Sequence, residues 1–459
     1  MALPASAPAS TKADHLCVLV HGLWGNPDHL KFLSTSLREK YSENELHILV
    51  VKRNAGSFTY DGIETGGERV ANEVEEHLDD LAKKGNHVKK ISVIGYSLGG
   101  LISRYAIGLL YSKGLFDHIQ PINFTTFATP HLGVRTPLKG YHNHIWNVLG
   151  ARTLSMSGRQ LFTIDKFRDT GRPLLAVLAD PESVFMRALA MFQQRSLYAN
   201  VVNDRSVTYY TAGISQTDPF VQPDSVKINY LEGCGDVIVD ANNPVSPKEP
   251  DVLPAFTQRL SSGTKTVFGR VPFVAFLVLF IPIGSTVFLL NSAIQSVRSR
   301  QRIRLHEEGK AGVDIGAYRI PLMINAARKE VEDMFENVNN VQEQEYLEVG
   351  SEELASPTQP ASPKMHRRAS SANADAASDS DMDSVQEQKM ELGIEFPTLA
   401  LTKDQFAMIE ALDNVGFKKY PVFIHNHRHS HAAIIRRMDR KAFDEGYVVV
   451  KHWLNEFEL

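Results

Sequence analysis

Between residues 15 and 127, short apolar runs alternate with longer amphipathic stretches, and this alternation limits the possible fold more than any other feature of the sequence. His15–Val20 (HLCVLV), Leu46–Val51 (LHILVV), Lys90–Ile94 (KISVI) and Ile122–Phe127 read as strands. The first two are apolar almost without a break, so neither face of such a strand is expected to meet water. Asp28–Lys40, Glu64–Lys84 and Gly99–Tyr111 read as helices. Strands of this kind between helices imply a parallel sheet covered on both faces, and right-handed crossovers leave a doubly wound α/β sheet as the simplest topology. The strand pattern returns at Leu197–Val202 and Tyr420–His425. Ala432–Phe443 reads as a helix, and Tyr447–Phe457 as a strand turning into a last helix. Residues 131–195 lose the rhythm and are rich in Met, Leu and Phe, which suggests a helical cap inserted over one end of the sheet.

The third strand runs directly into Gly95-Tyr96-Ser97-Leu98-Gly99, a G-x-S-x-G sequence. A serine on so sharp a strand-to-helix turn is lifted clear of the sheet. Side chains at Gly95 and Gly99 would collide with the neighbouring strand and helix. The turn also aims a helix N-terminus at any charge that develops beside the hydroxyl. An oxyanion hole needs two backbone N–H groups. Leu98, just after the serine, supplies one candidate. The loop His21-Gly22-Leu23-Trp24-Gly25-Asn26 after the first strand supplies the other, at Leu23.

A nucleophilic serine needs a histidine as base and a carboxylate to orient it. The carboxylate is expected at the end of a later strand, where Asp204 fits, with Asp236 in GCGDVIV as the alternative. The base is expected after the last strand. Four histidines occupy residues 425–431 there; His431, nearest the following helix, is the first choice and His429 the second. His131 precedes the expected acid and is set aside. A zinc site in the histidine cluster has no nearby Cys, Asp or Glu to complete it. No metal and no cofactor is therefore expected. The net charge of −4 and the lack of a basic stripe with interleaved aromatics give no pull toward nucleic acid. The only cysteines, Cys17 and Cys234, make no disulfide framework, which favours a reducing compartment. Met1–Asp14 has no apolar core of a signal peptide, so a protein that is not secreted is expected.

Taken together, HGLWGN, GYSLGGLISRY, FATPHLGV, a strand ending in ND-x-x-V and a terminal HSHAAII resemble the "putative serine esterase" family of α/β-hydrolases that includes the fungal lipid-droplet phospholipase. The resemblance covers about residues 15–220 and 396–450. It implies an α/β-hydrolase fold with Ser97 as nucleophile, supports Asp204 and His431 by position, and implies action on glycerophospholipids or other acyl glycerols.

A second local extreme lies between the expected acid and base. Val271–Val297 is a run of 27 residues without a charge, and 15 of the 20 residues in Val271–Leu290 are Ala, Val, Ile, Leu or Phe. That length suffices to cross the ~30 Å core of a bilayer. Arg298, Arg300, Arg302 and Arg304 follow at once, as at the cytoplasmic face of a membrane. A single crossing would place Ser97 and His431 in different compartments. A working Ser–His pair therefore requires the run to enter and leave on one side. Pro282 would break a helix near its middle, so Phe273–Phe280 and Ile283–Leu290 are expected to form two arms of a shallow hairpin in a membrane or lipid-droplet monolayer. The alternative is a buried helix of the hydrolase core.

The expected organisation is thus a disordered N-terminus over 1–14 and a hydrolase core over 15–260 with its cap at 131–195. A hydrophobic membrane or droplet segment with a basic flank spans 261–305, and a helical connector spans 306–350. A disordered acidic Ser/Pro-rich linker covers 351–395, with nine acidic and four basic residues and candidate phosphorylation sites at Ser356, Ser362 and Ser370. Residues 396–459 return as the C-terminal part of the core, carrying the histidine. The expected function is a serine lipase or phospholipase at the cytoplasmic face of a membrane or lipid droplet, with phospholipid or acylglycerol as substrate. The alternatives are a non-catalytic hydrolase-fold protein that binds lipid or a partner, and an esterase or thioesterase of soluble acyl esters.

Overall fold

The computed structural model of the chain describes residues 12–135, 155–204, 206–221, 223–248, 290–318 and 398–459. Six strands form one parallel sheet: β1 (His15–Val20), β2 (His47–Val50), β3 (Lys90–Tyr96), β4 (Gln120–Phe127), β5 (Gln194–Asn200) and, after a separate antiparallel ribbon of β6 (Val226–Ile228) and β7 (Val245–Pro247), β8 (Lys418–Val422). Their order is β2-β1-β3-β4-β5-β8. The chain therefore winds one way from β1 to β2 and the other way from β3 onward. The switch falls between β1 and β3, and in open α/β sheets ligands bind in the crevice at the carboxyl ends of those strands.

Residue alternation explains why the sheet is covered on both sides. Leu16, Val18 and Val20 of β1 join Ile91 and Val93 of β3 in one core, against Val70 and Val74 of α2 (Ile63–Lys83) and Leu101 and Tyr105 of α3 (Leu98–Ser112). Cys17 and Leu19 point into the other core. They meet Leu33 and Leu37 of α1 (Lys31–Lys40), and Val449, Val450 and Trp453 of the C-terminal helix Glu445–Glu456. All six residues of β1 are buried. Each fully buried aliphatic of this kind contributes about 1.5–3 kcal/mol.

The insertion after β4 is helical where it is described, with helices at Ser155–Leu161, Leu174–Leu178 and Val184–Ala190. Leu174, Leu175, Phe185 and Leu189 enter the same core as α3. Ser157 and Gln160 instead clamp the start of α2, accepting hydrogen bonds from Gly62 N–H at 3.0 Å and Ile63 N–H at 2.6 Å. The chain re-enters the sheet through helix Lys403–Val415, which a Thr402/Gln405 capping box starts and Gly416 ends in the left-handed region (φ 82°).

Two expectations at the C-terminus are corrected. Helix Ala432–Phe443 is limited to Ser430–Ala433, followed by a 3-10 turn at Lys441–Phe443. No strand begins at Tyr447: residues 445–456 are helical throughout. Val449, Val450 and Trp453 recur at helical spacing, and packing of Trp453 edge-on to Phe127 (5.7 Å) overrides the β preference of the valines.

Residues 290–307 form one helix on the surface of the α/β body. The rest of the uncharged run, and with it the expected hairpin, lies outside the described residues. So do most of the N-terminus (1–11), the connector beyond 318 and the acidic linker. Among the described residues no helix is long and apolar enough to cross a membrane. One part of the basic flank is corrected: Arg302 turns inward and pairs with Asp61 at 2.7 Å.

Candidate active site

Gly95 and Gly99 let α3 start hard against the sheet. A Cβ at Gly95 would lie 2.3 Å from the Gly100 Cα, and one at Gly99 would lie 2.2 Å from the Val20 carbonyl oxygen. Between them Ser97 adopts φ 56° and ψ −129°, a strained conformation for a residue with a side chain. Its backbone is held from both ends. Ser97 N–H donates to the Phe127 carbonyl at 2.8 Å, and Thr129 Oγ1 donates to the Ser97 carbonyl at 2.9 Å. The strain of the turn is thus stabilised by β4 and the segment after it.

The end of β1 approaches Ser97 directly. A Cβ at Gly22 would lie 2.6 Å from the Ser97 Cβ and 3.1 Å from its Oγ. Only glycine lets this loop pass so close, and Leu23 follows it directly in the chain. Gly25 N–H closes the turn on the Gly22 carbonyl at 3.0 Å. Leu98 is the first residue of α3, so its N–H has no carbonyl one helical turn before it to receive it.

From the far end of the sheet come the two partners. Ser97 Oγ lies 3.0 Å from His431 Nε2, and His431 Nδ1 lies 2.8 Å from Asp204 Oδ2. Asp204 follows β5 and is buried. Its Oδ1 accepts from the N–H groups of Ser206 (3.0 Å) and Val207 (2.8 Å), and its Oδ2 accepts from Asn200 Nδ2 (2.9 Å). Every one of these partners is a donor, so the carboxylate acts as an acceptor throughout. His431 must then carry its proton on Nδ1, which leaves Nε2 free to accept from the serine hydroxyl. His431 is fixed from behind as well. Tyr96 OH donates to its carbonyl at 2.8 Å, and the two rings lie 5.2 Å apart. Ser430 Oγ donates to the Val202 carbonyl at 2.9 Å, tying the histidine turn to the loop that carries Asp204.

The alternatives lie elsewhere. Asp236 is exposed, and it meets the histidine cluster only through its backbone carbonyl, which is 2.7 Å from His425 Nε2. His429 is exposed and precedes the short helix that carries His431; its ring faces His427 at 5.4 Å. His131 is wholly buried against Thr126 (3.0 Å), and burial holds its pKa well below the ordinary histidine value. Among the described residues no His/Cys/Asp/Glu group has the arrangement of a metal site. Three supporting residues were given no role from the sequence: Asn200, and Thr129 and Gly100, which stand in FATPHLGV and GYSLGGLISRY. Gly100 is needed because a Cβ there would lie 2.2 Å from Thr129 Oγ1.

A doubly wound sheet with a Ser–His–Asp hydrogen-bond chain at its switch point defines the α/β-hydrolase class. Residues 10–217 match the family described as "Putative serine esterase (DUF676)", so this part of the chain is similar to that family. It is 31% identical over 252 residues to "Putative lipase ROG1" of Saccharomyces cerevisiae, covering 53% of this chain and 35% of that protein. It is 32% identical over 216 residues to "Putative lipase C4A8.10" of Schizosaccharomyces pombe, covering 44% of this chain and 26% of that protein. The chain thus spans about a third or less of the length of these relatives. Among solved structures, a putative cell surface hydrolase from Lactobacillus plantarum overlaps 44% of this chain and 75% of its own, at 12% identity and a TM-score of 0.26.

Proposed function

We propose that this protein hydrolyses acyl ester bonds of glycerolipids, glycerophospholipids first among them, at the cytoplasmic surface of a membrane or lipid droplet. The observation that carries the catalytic part is the continuous chain Ser97–His431–Asp204. In the reaction, His431 Nε2 takes the proton of the Ser97 hydroxyl as Oγ attacks the ester carbonyl carbon. Asp204 holds the resulting imidazolium through Nδ1–H. The N–H groups of Leu98 and Leu23 hold the oxyanion. Collapse of the tetrahedral intermediate expels the alcohol, the lysolipid or glyceride, which leaves with the proton from His431. Water then attacks the acyl-serine with His431 as base and releases the fatty acid.

Two features support lipid as substrate. The yeast relatives carry the name lipase. The uncharged run of 27 residues has the length and composition of a lipid-embedded segment. The arginines that follow it, and a chain whose two cysteines are both free, support the cytoplasmic side. The test is fatty-acid release by wild type and Ser97→Ala from phospholipid vesicles, triacylglycerol emulsion and a short soluble ester. Release from phospholipid that the variant loses is expected. Equal release by both proteins from every substrate would overturn the enzyme assignment, and activity on the soluble ester alone would overturn the lipid assignment.

A further inference from the structure

The helix at residues 290–307 is inside out. The side of it that faces the protein is polar: Ser292, Ser299 and His306 are buried at seven-residue intervals, and Arg302 lies beside them. Ser299 Oγ donates to Asp61 Oδ1 at 2.7 Å, Arg302 NH2 lies 2.7 Å from the same oxygen, and His306 Nε2 lies 2.7 Å from Glu68 Oε2. The open side is apolar. Leu290 is 61% exposed, Ile294 51%, Val297 48% and Leu305 48%. At 3.6 residues per turn these four fall within an arc of about 80°, opposite the docked residues, with Gln301 the one polar side chain among them. Arg298 borders the arc on one side, and Arg300 and Arg304 on the other. Acidic residues come only at the end, at Glu307 and Glu308, the latter paired with Arg304 at 2.8 Å.

A helix that lies on water turns its aliphatic residues inward. This one spends most of its buried face on hydrogen bonds and ion pairs to the α/β body, with Ile303 the one half-buried aliphatic there, and leaves Leu290, Ile294, Val297 and Leu305 outside. An apolar arc bordered by arginines has the chemistry of a helix lying in the interface of an anionic lipid surface, its aliphatics below the headgroups and its guanidinium groups among the phosphates. The arc is also tied to the mouth of the site. Arg302 NH2 donates to the Ser57 carbonyl at 2.8 Å, and its guanidinium stacks 5.1 Å from the exposed ring of Phe58. On the other side of the same 3-10 turn, Gly56–Tyr60, Thr59 and Tyr60 hold Trp24, which is 54% exposed and adjoins Leu23.

We propose that the open face of helix 290–307 is a lipid-docking surface that rests in plane on an anionic leaflet or monolayer and holds the Ser97 cleft at it. This deepens the function proposed above and rests on it for its purpose, but lipid binding is tested without catalysis. The full chain carrying Ser97→Ala is floated with phosphatidylcholine vesicles and with phosphatidylcholine–phosphatidylserine vesicles, alone and with Ile294→Asp plus Val297→Asp. The parent is expected to float with the anionic vesicles. The double substitution should lower its partition by roughly a hundredfold, about tenfold for each aliphatic that no longer leaves water. Arg298→Gln with Arg300→Gln should cost about fivefold per arginine on anionic vesicles only. Flotation of both variants at the parent level overturns the proposal.

An independent reading comes from an environment-sensitive dye at Ile294→Cys, in protein carrying Cys234→Ser, with Lys84→Cys as the control position. A blue shift on adding anionic vesicles at position 294 and none at 84 is expected. No shift at 294 overturns the proposal even if the aspartate variant fails to fold. A shift in buffer that grows with protein concentration also overturns it, because a second copy would then cover the face. Loss of ester hydrolysis with lipid binding intact would instead strike only the proposed reaction.

Discussion

Ser97 Oγ and His431 Nε2 lie 3.0 Å apart although 334 residues separate them in the chain. The contact is made because β3 and β8 belong to one sheet, so everything between β5 and β8 must leave and return on the same side of any lipid surface. If the pair works as proposed, His431→Ala and Ser97→Ala should each lower kcat on a short soluble ester by roughly a thousandfold or more, and the double variant should fall little further, since the groups act as a unit. Multiplying losses in the double variant would show that the two residues act independently.

Asn200 donates to the same carboxylate oxygen of Asp204 that receives His431. Asn200→Ala should therefore lower kcat by about tenfold, the worth of one hydrogen bond to a charged group, with KM little changed. A fall in kcat that is matched by a fall in stability and a rise in KM would make Asn200 merely structural.

Gly99→Ala tests the elbow by sterics alone. The added Cβ would meet the Val20 and His21 carbonyl oxygens at 2.2 and 2.6 Å, and both are backbone atoms that cannot rotate away. The expected cost is about 1–3 kcal/mol of stability or more, together with loss of activity as β1 and α3 are pushed apart. Thermal or urea unfolding gives the first and ester hydrolysis the second; a variant as stable and active as wild type would contradict the close approach.

What could be read in the sequence follows from the range of the interactions involved. Strands β1, β3 and β4 and the elbow are set by local pattern: two-sided burial, and glycines placed where a Cβ cannot fit; β2 reads as apolar in the same way, yet at the edge of the sheet only Leu49 of its four residues is buried. Asp204 and His431 were legible because strand ends are the places from which such side chains reach a site. Other features depend on partners far along the chain. Arg302 stands in a row of four arginines that reads as a uniform basic flank, yet its partner, Asp61, is 241 residues away and turns it inward. The helical state of Tyr447–Glu456 likewise depends on Phe127 and Tyr198 beneath it, which no local propensity contains. Asn200 is one more polar residue at a strand end until Asp204 is seen beside it.

His15 supplies a pH dependence of stability. Its ring is buried, with Nε2 2.8 Å from Ser92 Oγ, and burial lowers its pKa to about 4 from an ordinary 6.5. The unfolded chain therefore takes up this proton more readily than the folded one. The contribution of the neutral ring is fully present above pH 6.5 and is lost as the pH falls through about 4. His15→Gln removes that titration. Its unfolding free energy should fall less than that of wild type between pH 7 and pH 4, by up to about 3 kcal/mol. Parallel pH curves for the two proteins would show that His15 does not titrate with folding.

Asp61 decides whether helix 290–307 stays on the body. Its carboxylate is buried and receives Arg69 at 2.9 Å, Ser299 at 2.7 Å and Arg302 at 2.7 Å, so a single side chain joins the helix to the 3-10 turn beside the cleft and to α2. Asp61→Asn leaves two guanidinium groups sharing a neutral amide, and breaking a buried pair in this way costs about 3–5 kcal/mol locally. Apart from the Asp61 contacts, the docked face keeps the half-buried Ile303 and the His306–Glu68 contact, little apolar packing to hold it once the ions are unbalanced. Amide exchange should then quicken over residues 290–307 and in the turn Gly56–Tyr60, while β3 and α3 keep their protection, because their core is built from Leu101, Tyr105 and Phe185 and does not use Asp61. Faster exchange spread evenly over the sheet would mean instead that the helix is part of the cooperative fold, and that the lipid-docking face cannot part from the Ser97 cleft without unfolding it.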